Sequence, residues 1–260
     1  MNQIRAPCIG RAHELIVKKM FYDGVIIDTE DDEVTLEFPN ADSSVISIEN
    51  PLSEPMVNPK SRFQETFMKH YAKDLIFGSD SVFEYDYHGR LFHYRPYDDK
   101  PEIDQISYIV EKLKSNPQSR RALAITWYPN YDETLSNCPC LQLVQCTIRN
   151  DRNGETKMNE KVVFRSNDMQ TAAGANMFAL ACLQKDIADK LSLPIGNYEH
   201  ISLVPHIYPI RDIGDIYRML SDKGELDSHG RFVKRLNELS GSSEILKSHV
   251  EEWASTDYKF

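Results

Sequence analysis

No stretch of this sequence reaches eighteen consecutive apolar residues, so no segment is long enough to cross a bilayer as a helix. The first nineteen residues carry charges throughout and lack the apolar core of a secretory signal. Cysteine is scarce. The five present (Cys8, Cys138, Cys140, Cys146 and Cys182) form an odd, sparse set that speaks against a disulfide framework and for a reducing cytoplasm. Positive charge is in deficit, with 30 Lys and Arg against 40 Asp and Glu, a net charge of −10. That balance argues against a general affinity for nucleic acid or for an anionic membrane surface. No second Cys/His pair at ligand spacing accompanies Cys138 and Cys140, so no metal is expected. Internal repeats and low-complexity tracts are also missing.

What remains is a chain of 260 residues, 41% hydrophobic, able to bury a sizeable core and expected to form one domain over 1–260. Residues 10–24 predict a helix stopped by Gly24 as a left-handed cap. Residues 25–47 alternate weakly and predict strands. Ser61 and Gln64 form a capping-box pair, and the helix after them runs to about Phe77, with Phe63, Phe67, Tyr71 and Leu75 on its inward face. Phe83, Tyr85 and Tyr87, then Leu91, Phe92 and Tyr94, predict a bent strand or hairpin. Residues 104–115 predict an amphipathic helix, and 122–127 a buried strand. Residues 141–149 and 161–165 predict a hairpin around Asn153-Gly154. Residues 176–191 predict the main core helix, 198–208 a further strand, and the chain from Asp212 onward a polar, mostly helical tail. The pattern is α+β, with one mainly antiparallel or mixed sheet.

The chemistry concentrates at Pro139-Cys140 and at Phe164-Arg165-Ser166-Asn167-Asp168. A cysteine is a useful nucleophile when a cation favours its thiolate. Arg165 is a candidate cation, and an arginine also grips a phosphate through two parallel hydrogen bonds. A nucleophile beside a phosphate anchor suggests an enzyme acting on a phosphorylated substrate. Cys146 and Cys182 fall on core positions. His13, His70, His88, His93 and His200 carry no pattern that singles them out.

Several motifs recur in order: Ser119-Arg120-Arg121 before an apolar strand ending in Trp127, Pro139-Cys140 with Gln145, Arg165-Ser166-Asn167-Asp168, Asn176, and His206-Ile207-Tyr208. Tyr87-His88-Gly89-Arg90 and Asp104-Gln105 accompany them. Together they resemble the thymidylate synthase family, in its short archaeal-type branch, over roughly residues 60–210. The resemblance implies a one-carbon transfer to carbon 5 of a pyrimidine nucleotide. Cys140 would add to carbon 6, Tyr87 would move a proton at carbon 5, and Asp168 would contribute near the base. Glu65, on the corresponding helix, would be the general acid/base carboxylate. Arg165 and Ser166 would hold the 5′-phosphate, Asn176 would read the base, and His206 with Tyr208 would bond the sugar. Arg120 and Arg121 would reach the phosphate of a second subunit, making a homodimer with shared sites. The cosubstrate would be 5,10-methylenetetrahydrofolate or methylene-tetrahydromethanopterin. Two other readings stand beside this one: a pyrimidine nucleotide 5-hydroxymethylase acting on dUMP, dCMP or CMP, and a silent nucleotide- or RNA-binding relative. The chain departs from the family pattern at Leu141, where a histidine is usual, at Phe164, and in having no tryptophan between the helix ending near Phe77 and Tyr87.

Overall fold

A computed structural model describes residues 1–29, 33–79, 86–97, 99–221 and 228–255. The chain begins with β1 (Asn2–Ala6), α1 (Ile9–Asp23), β2 (Val25–Asp28), β3 (Val34–Glu37) and β4 (Ser44–Ile48). Helices α2 (Glu65–Phe77), α3 (Tyr87–Phe92) and α4 (Gln105–Ser115) follow, then β5 (Leu123–Ile125) and the one-turn α5 (Pro129–Asp132). The centre is β6 (Leu141–Asn150), β7 (Thr156–Asp168), α6 (Ala173–Lys190) and β8 (Ile195–Ile207). Three helices close the chain: α7 (Pro209–Leu220), α8 (Ser228–Ser240) and α9 (Glu244–Ser255).

The strands form one mixed sheet in the order β1-β4-β8-β7-β6-β5, with β3 also on β8 and β2 on β3. β1 with β4 and β7 with β8 run parallel, and the other pairs are antiparallel. The parallel β7–β8 pair requires a crossover, and α6 supplies it. The expected hairpin is present as β6–β7. Its turn is held by Asp151, whose carboxylate accepts from Asn153 N (2.8 Å) and Glu155 N (3.0 Å), and Gly154 takes the left-handed φ of +84°. On one face of the sheet Val144, Cys146, Met158, Val162, Phe164 and Tyr198 are buried under α6 and α1. Burying such side chains stabilises the fold by about 1.5–3 kcal/mol each, which is why α6 sits across the strands.

Four sequence expectations change. Gly24 is extended (φ −76°), and a Cβ there would sit 2.5 Å from Met20 O and 2.9 Å from Leu36 Cγ; close approach to β3, not a left-handed cap, requires the glycine. Ser61 and Gln64 do not form a capping box: Gln64 is itself the N-cap of α2, and its amide turns back to Ser61 O. Residues 87–92 are helix α3, not strand, because the Asp86 carboxylate accepts from Gly89 N and starts a helical turn. Phe83 and Tyr85 lie outside the described residues. On α2 the buried face is Met68, Ala72 and Leu75, whereas Phe67 is exposed and Tyr71 half-buried.

Candidate active site

The site grows from an irregularity in β6. Leu141 pairs with Phe164 and Leu143 with Val163, so Gln142 is an extra residue in the ladder. Such a bulge bends the strand and redirects its end. The Gln142 amide donates to Pro139 O (2.7 Å), and Thr126 Oγ1 donates to Leu141 O, which fix the bent backbone. Cys140 stands at this bend, half-buried. The Tyr87 hydroxyl, at the start of α3, accepts from Leu141 N at 3.1 Å.

β7 is the spine of the site. Arg165 N donates to Cys140 O (2.8 Å), and its guanidinium holds Pro139 O (3.0 Å) and Cys138 O (2.8 Å). Ser166 Oγ lies 3.2 Å from His206 Nδ1, and His206 packs edge-on against Tyr208. Asn167 Oδ1 accepts from Asn176 Nδ2 at 3.4 Å. Asp168 Oδ1 accepts from Gln170 N (3.1 Å) and Thr171 N (3.0 Å), forming the turn that leads into α6 and places Asn176 in its first turn. The other Asp168 oxygen pairs with Arg211, whose guanidinium lies over the Tyr208 ring. His13 holds the same turn from α1, its Nε2 lying 2.9 Å from Met169 O.

Electrostatics differ from the sequence expectation in one respect. Burial pushes the Cys140 thiol above its ordinary 9.0, and Arg165 offsets only part of that. Near neutral pH this environment therefore favours the thiol over the thiolate. Burial also lowers His206, against the attraction of Asp168, and keeps its ring neutral.

Of the residues expected from sequence, the fold gathers Cys140, Tyr87, Arg165, Ser166, Asp168, Asn176, His206 and Tyr208. Glu65 stands apart. Its exposed carboxylate pairs with Lys69 at 2.5 Å on the outer side of α2. From that helix the group in reach of Asn176 is Tyr71, whose hydroxyl donates to Asn176 Oδ1 at 2.9 Å. Arg120 and Arg121 are exposed and sit beside Gln145, at the end of the β5–β6 pairing away from Cys140. Sequence reasoning missed Tyr71, Arg211, and the buried pair Asn167 and His200. For the last there was a signal: Tyr198 and His200, two apart on a strand, put two polar groups on its buried face.

Among the described residues no cluster of His, Cys, Asp or Glu is arranged to hold a metal ion, and no helix is long and apolar enough to cross a membrane. The Cys-bulge, the Arg-Ser-Asn-Asp strand and the helix bearing Asn176 are one contiguous unit. The sequence model of the family described as Thymidylate synthase matches residues 67–255. The chain belongs to the thymidylate synthase family. A Methanocaldococcus jannaschii protein named "Putative thymidylate synthase" is 41% identical over 214 residues, covering 80% of this chain and 91% of that protein. Relatives of the same name from Methanosarcina barkeri (36% over 165 residues; 63% and 71% covered) and Methanosarcina mazei (32% over 206 residues; 79% and 88% covered) agree. Thymidylate synthase family members are transferases of pyrimidine nucleotide biosynthesis that bind a nucleotide and a folate-type cosubstrate.

Proposed function

We propose that this family member transfers a one-carbon unit to carbon 5 of a pyrimidine nucleoside 5′-monophosphate, converting dUMP to dTMP with a methylene-bearing reduced pterin. The supporting observation is the run Arg165–Asp168, four consecutive residues that address Cys140, His206, Asn176 and Arg211 in turn. On this reading Arg165 and Ser166 bind the phosphate, and His206 with Tyr208 bond the sugar. When the phosphate draws the Arg165 guanidinium off the Pro139 and Cys138 carbonyls, Cys140 can ionise and its sulfur bonds to carbon 6. The electron pair released to carbon 5 makes it a nucleophile for the methylene carbon that a bound carrier would supply and release from its nitrogen. Tyr87 relays the proton that leaves carbon 5. A bound carrier would also supply the hydride that completes the methyl group, and the Cys140 sulfur would leave carbon 6 in that collapse. The residues fit such a cosubstrate. Phe63 and Phe67 stack at 4.2 Å, and the row of rings continues to Tyr71, whose hydroxyl reaches Asn176.

The test is direct. Incubation with 5-fluoro-dUMP and carrier should yield a covalent adduct that peptide mapping puts on Cys140, and Cys140→Ser should bind dUMP but not turn over. An adduct on Cys138 or Cys146 would reject the assignment. The runner-up product is the 5-hydroxymethyl nucleotide, favoured by the absence of tryptophan from the nine residues between α2 and α3, which leaves less to exclude water. A product one oxygen heavier, with no oxidised carrier, would select it.

We read the working unit as a homodimer of single-domain chains in a reducing compartment, where the five unpaired cysteines persist. Leu123 pairs with Gln145, so Arg121 lies beyond one end of the β5–β6 pairing and Cys140 beyond the other, about 20 Å along the strand. Within one chain these arginines cannot reach the Arg165 site. On the sheet face away from α6, Ile125, Leu143, Val163, Ile201 and Val45 form one in-register apolar row across five strands, exposed or half-buried. A second copy would cover that row. Mixing Arg121→Ala with Cys140→Ser chains should restore part of the lost activity through one intact hybrid site. A monomer by light scattering at micromolar concentration would end this idea.

A further inference from the structure

A chain of polar side chains leads from Asn176 into the interior. Tyr71 Oη donates to Asn176 Oδ1 (2.9 Å), and Asn176 Nδ2 donates to Asn167 Oδ1 (3.4 Å). Asn167 Nδ2 lies 2.7 Å from His200 Nε2, and Tyr198 Oη lies 3.0 Å from His200 Nδ1. Asn167 is 2% exposed, and His200 and Tyr198 are fully buried. Directions follow from chemistry. An amide nitrogen can only donate, so His200 Nε2 accepts. Burial holds the imidazole neutral, with its pKa lowered to about 3. The single ring proton is then on Nδ1 and is donated to Tyr198 Oη. One tautomer sets the sense of every bond from Tyr198 to Asn176.

We propose that this buried chain, anchored on His200, sets the pyrimidine specificity of the site by locking the Asn176 carboxamide in one orientation. Asn167, His200 and Tyr198 do not touch the base; they are positioning residues. The inference rests on the reading of the site as a pyrimidine nucleotide site and goes beyond it.

A free asparagine is a poor discriminator, because rotating its amide by half a turn exchanges donor and acceptor. Uracil offers an acceptor at carbon 4 and a donor at nitrogen 3, and cytosine offers the reverse. An unrestrained Asn176 would serve either base by turning over. Here Tyr71 occupies one lone pair of Oδ1 and Asn167 takes one hydrogen of Nδ2. One acceptor position and one donor remain, in fixed order. Turning Asn176 over would set its oxygen against Asn167 Oδ1, two acceptors face to face. Relief requires Asn167 to turn as well. That in turn requires the His200 proton to move from Nδ1 to Nε2 and the bond with Tyr198 to reverse. The wrong base must therefore reverse the whole chain or leave a buried polar group unpaired, and either is costly.

The experiment compares dUMP and dCMP affinities, by calorimetry, for the full-length protein without carrier. The parent should prefer one base by about tenfold or more. His200→Phe keeps an aromatic ring where His200 stacks on Phe164 (4.7 Å between centroids) but has no ring nitrogens. It should bring the two affinities to within about threefold of each other. His200→Gln, whose amide can accept from Asn167 and donate to Tyr198, should restore most of the preference. A purely structural role would weaken both nucleotides alike and leave the ratio unchanged. Tyr71→Phe, at a half-buried helix position, removes only the hydroxyl on Asn176 Oδ1 and should also lower the ratio, which decides the matter if His200→Phe does not fold. The proposal is overturned if folded His200→Phe keeps the parental ratio, if both affinities fall together, or if Tyr71→Phe keeps the ratio where His200→Phe cannot be made. A parent that binds neither nucleotide overturns the nucleotide-site reading itself, and this inference with it.

Discussion

At the scale of single residues, protonation separates what Cys140 is from what it must become. Burial outweighs Arg165, so alkylation of Cys140 by iodoacetamide, followed by peptide mapping, should still be accelerating at pH 9. A plateau below pH 8 would show that the resting site already stabilises the thiolate. Glu65 gives the opposite expectation. Its carboxylate is exposed and engages only Lys69 among the described residues, so Glu65→Gln should keep steady-state activity within about twofold of the parent. A loss of two orders of magnitude would return it to the chemistry. The sequence made Cys140, Arg165, Ser166, Asn176 and His206 legible because their spacing along the chain is itself the signal. It pointed to Glu65 because a carboxylate was sought on α2, and the fold leaves that group outside the cluster. Six residues separate Glu65 from Tyr71, about 240° around the helix, so the two point to different sides. Only a tertiary neighbour, Asn176, distinguishes which side matters.

At the scale of elements, the start of α6 is held by packing. A Cβ on Gly174 would lie 2.8 Å from His13 Nδ1, the ring that also reaches Met169 O and Gln170 O. Gly174→Ala should therefore destabilise the protein by about 1–3 kcal/mol through overpacking, despite alanine's better helix propensity. Denaturant unfolding that finds the variant as stable as the parent would mean that α1 and α6 yield easily. Long elements were readable: α6, β6, β7 and β8 each sustain one period over many residues. Short ones were not. The aromatic residues around α3 mimic strand alternation, and the decisive capping contact from Asp86 is a detail of geometry. β1 is five residues with polar side chains between its apolar ones, and it became a strand only because β4 offers a parallel partner.

For the molecule as a whole, acid is the weak side. His13, His200 and His206 are held neutral by burial, with folded pKa values below the ordinary 6.5. In the unfolded chain they take up protons below that pH, so their contribution is complete above about pH 6.5 and is lost as the pH falls. For His200 alone, a shift from 6.5 to about 3 corresponds to about 5 kcal/mol by pH 3. Glu160 acts in the reverse sense. Burial raises its carboxyl well above 4.5 and keeps it protonated in the fold, so its contribution falls as the pH rises past that value. Between these limits three histidines oppose one carboxyl. The melting temperature should drop from pH 7.5 to pH 5, with net proton uptake on unfolding at pH 5.5; a flat profile over that range would contradict the burial assigned to the rings. The order of strands adds a consequence in time. β4 takes β1 as one neighbour, but its other edge is covered only by β8, where Ser44–Ile48 pair with Tyr198–Ser202. During synthesis at roughly 5–20 residues per second, the amino-terminal strands must wait about 8–30 s for that partner to emerge. Throughout that wait the apolar side of α1 has only the short β1–β4 and β2–β3 pairs to lie on, without β8 or α6, and the nascent chain is at its most exposed to proteases and to its neighbours on the same message.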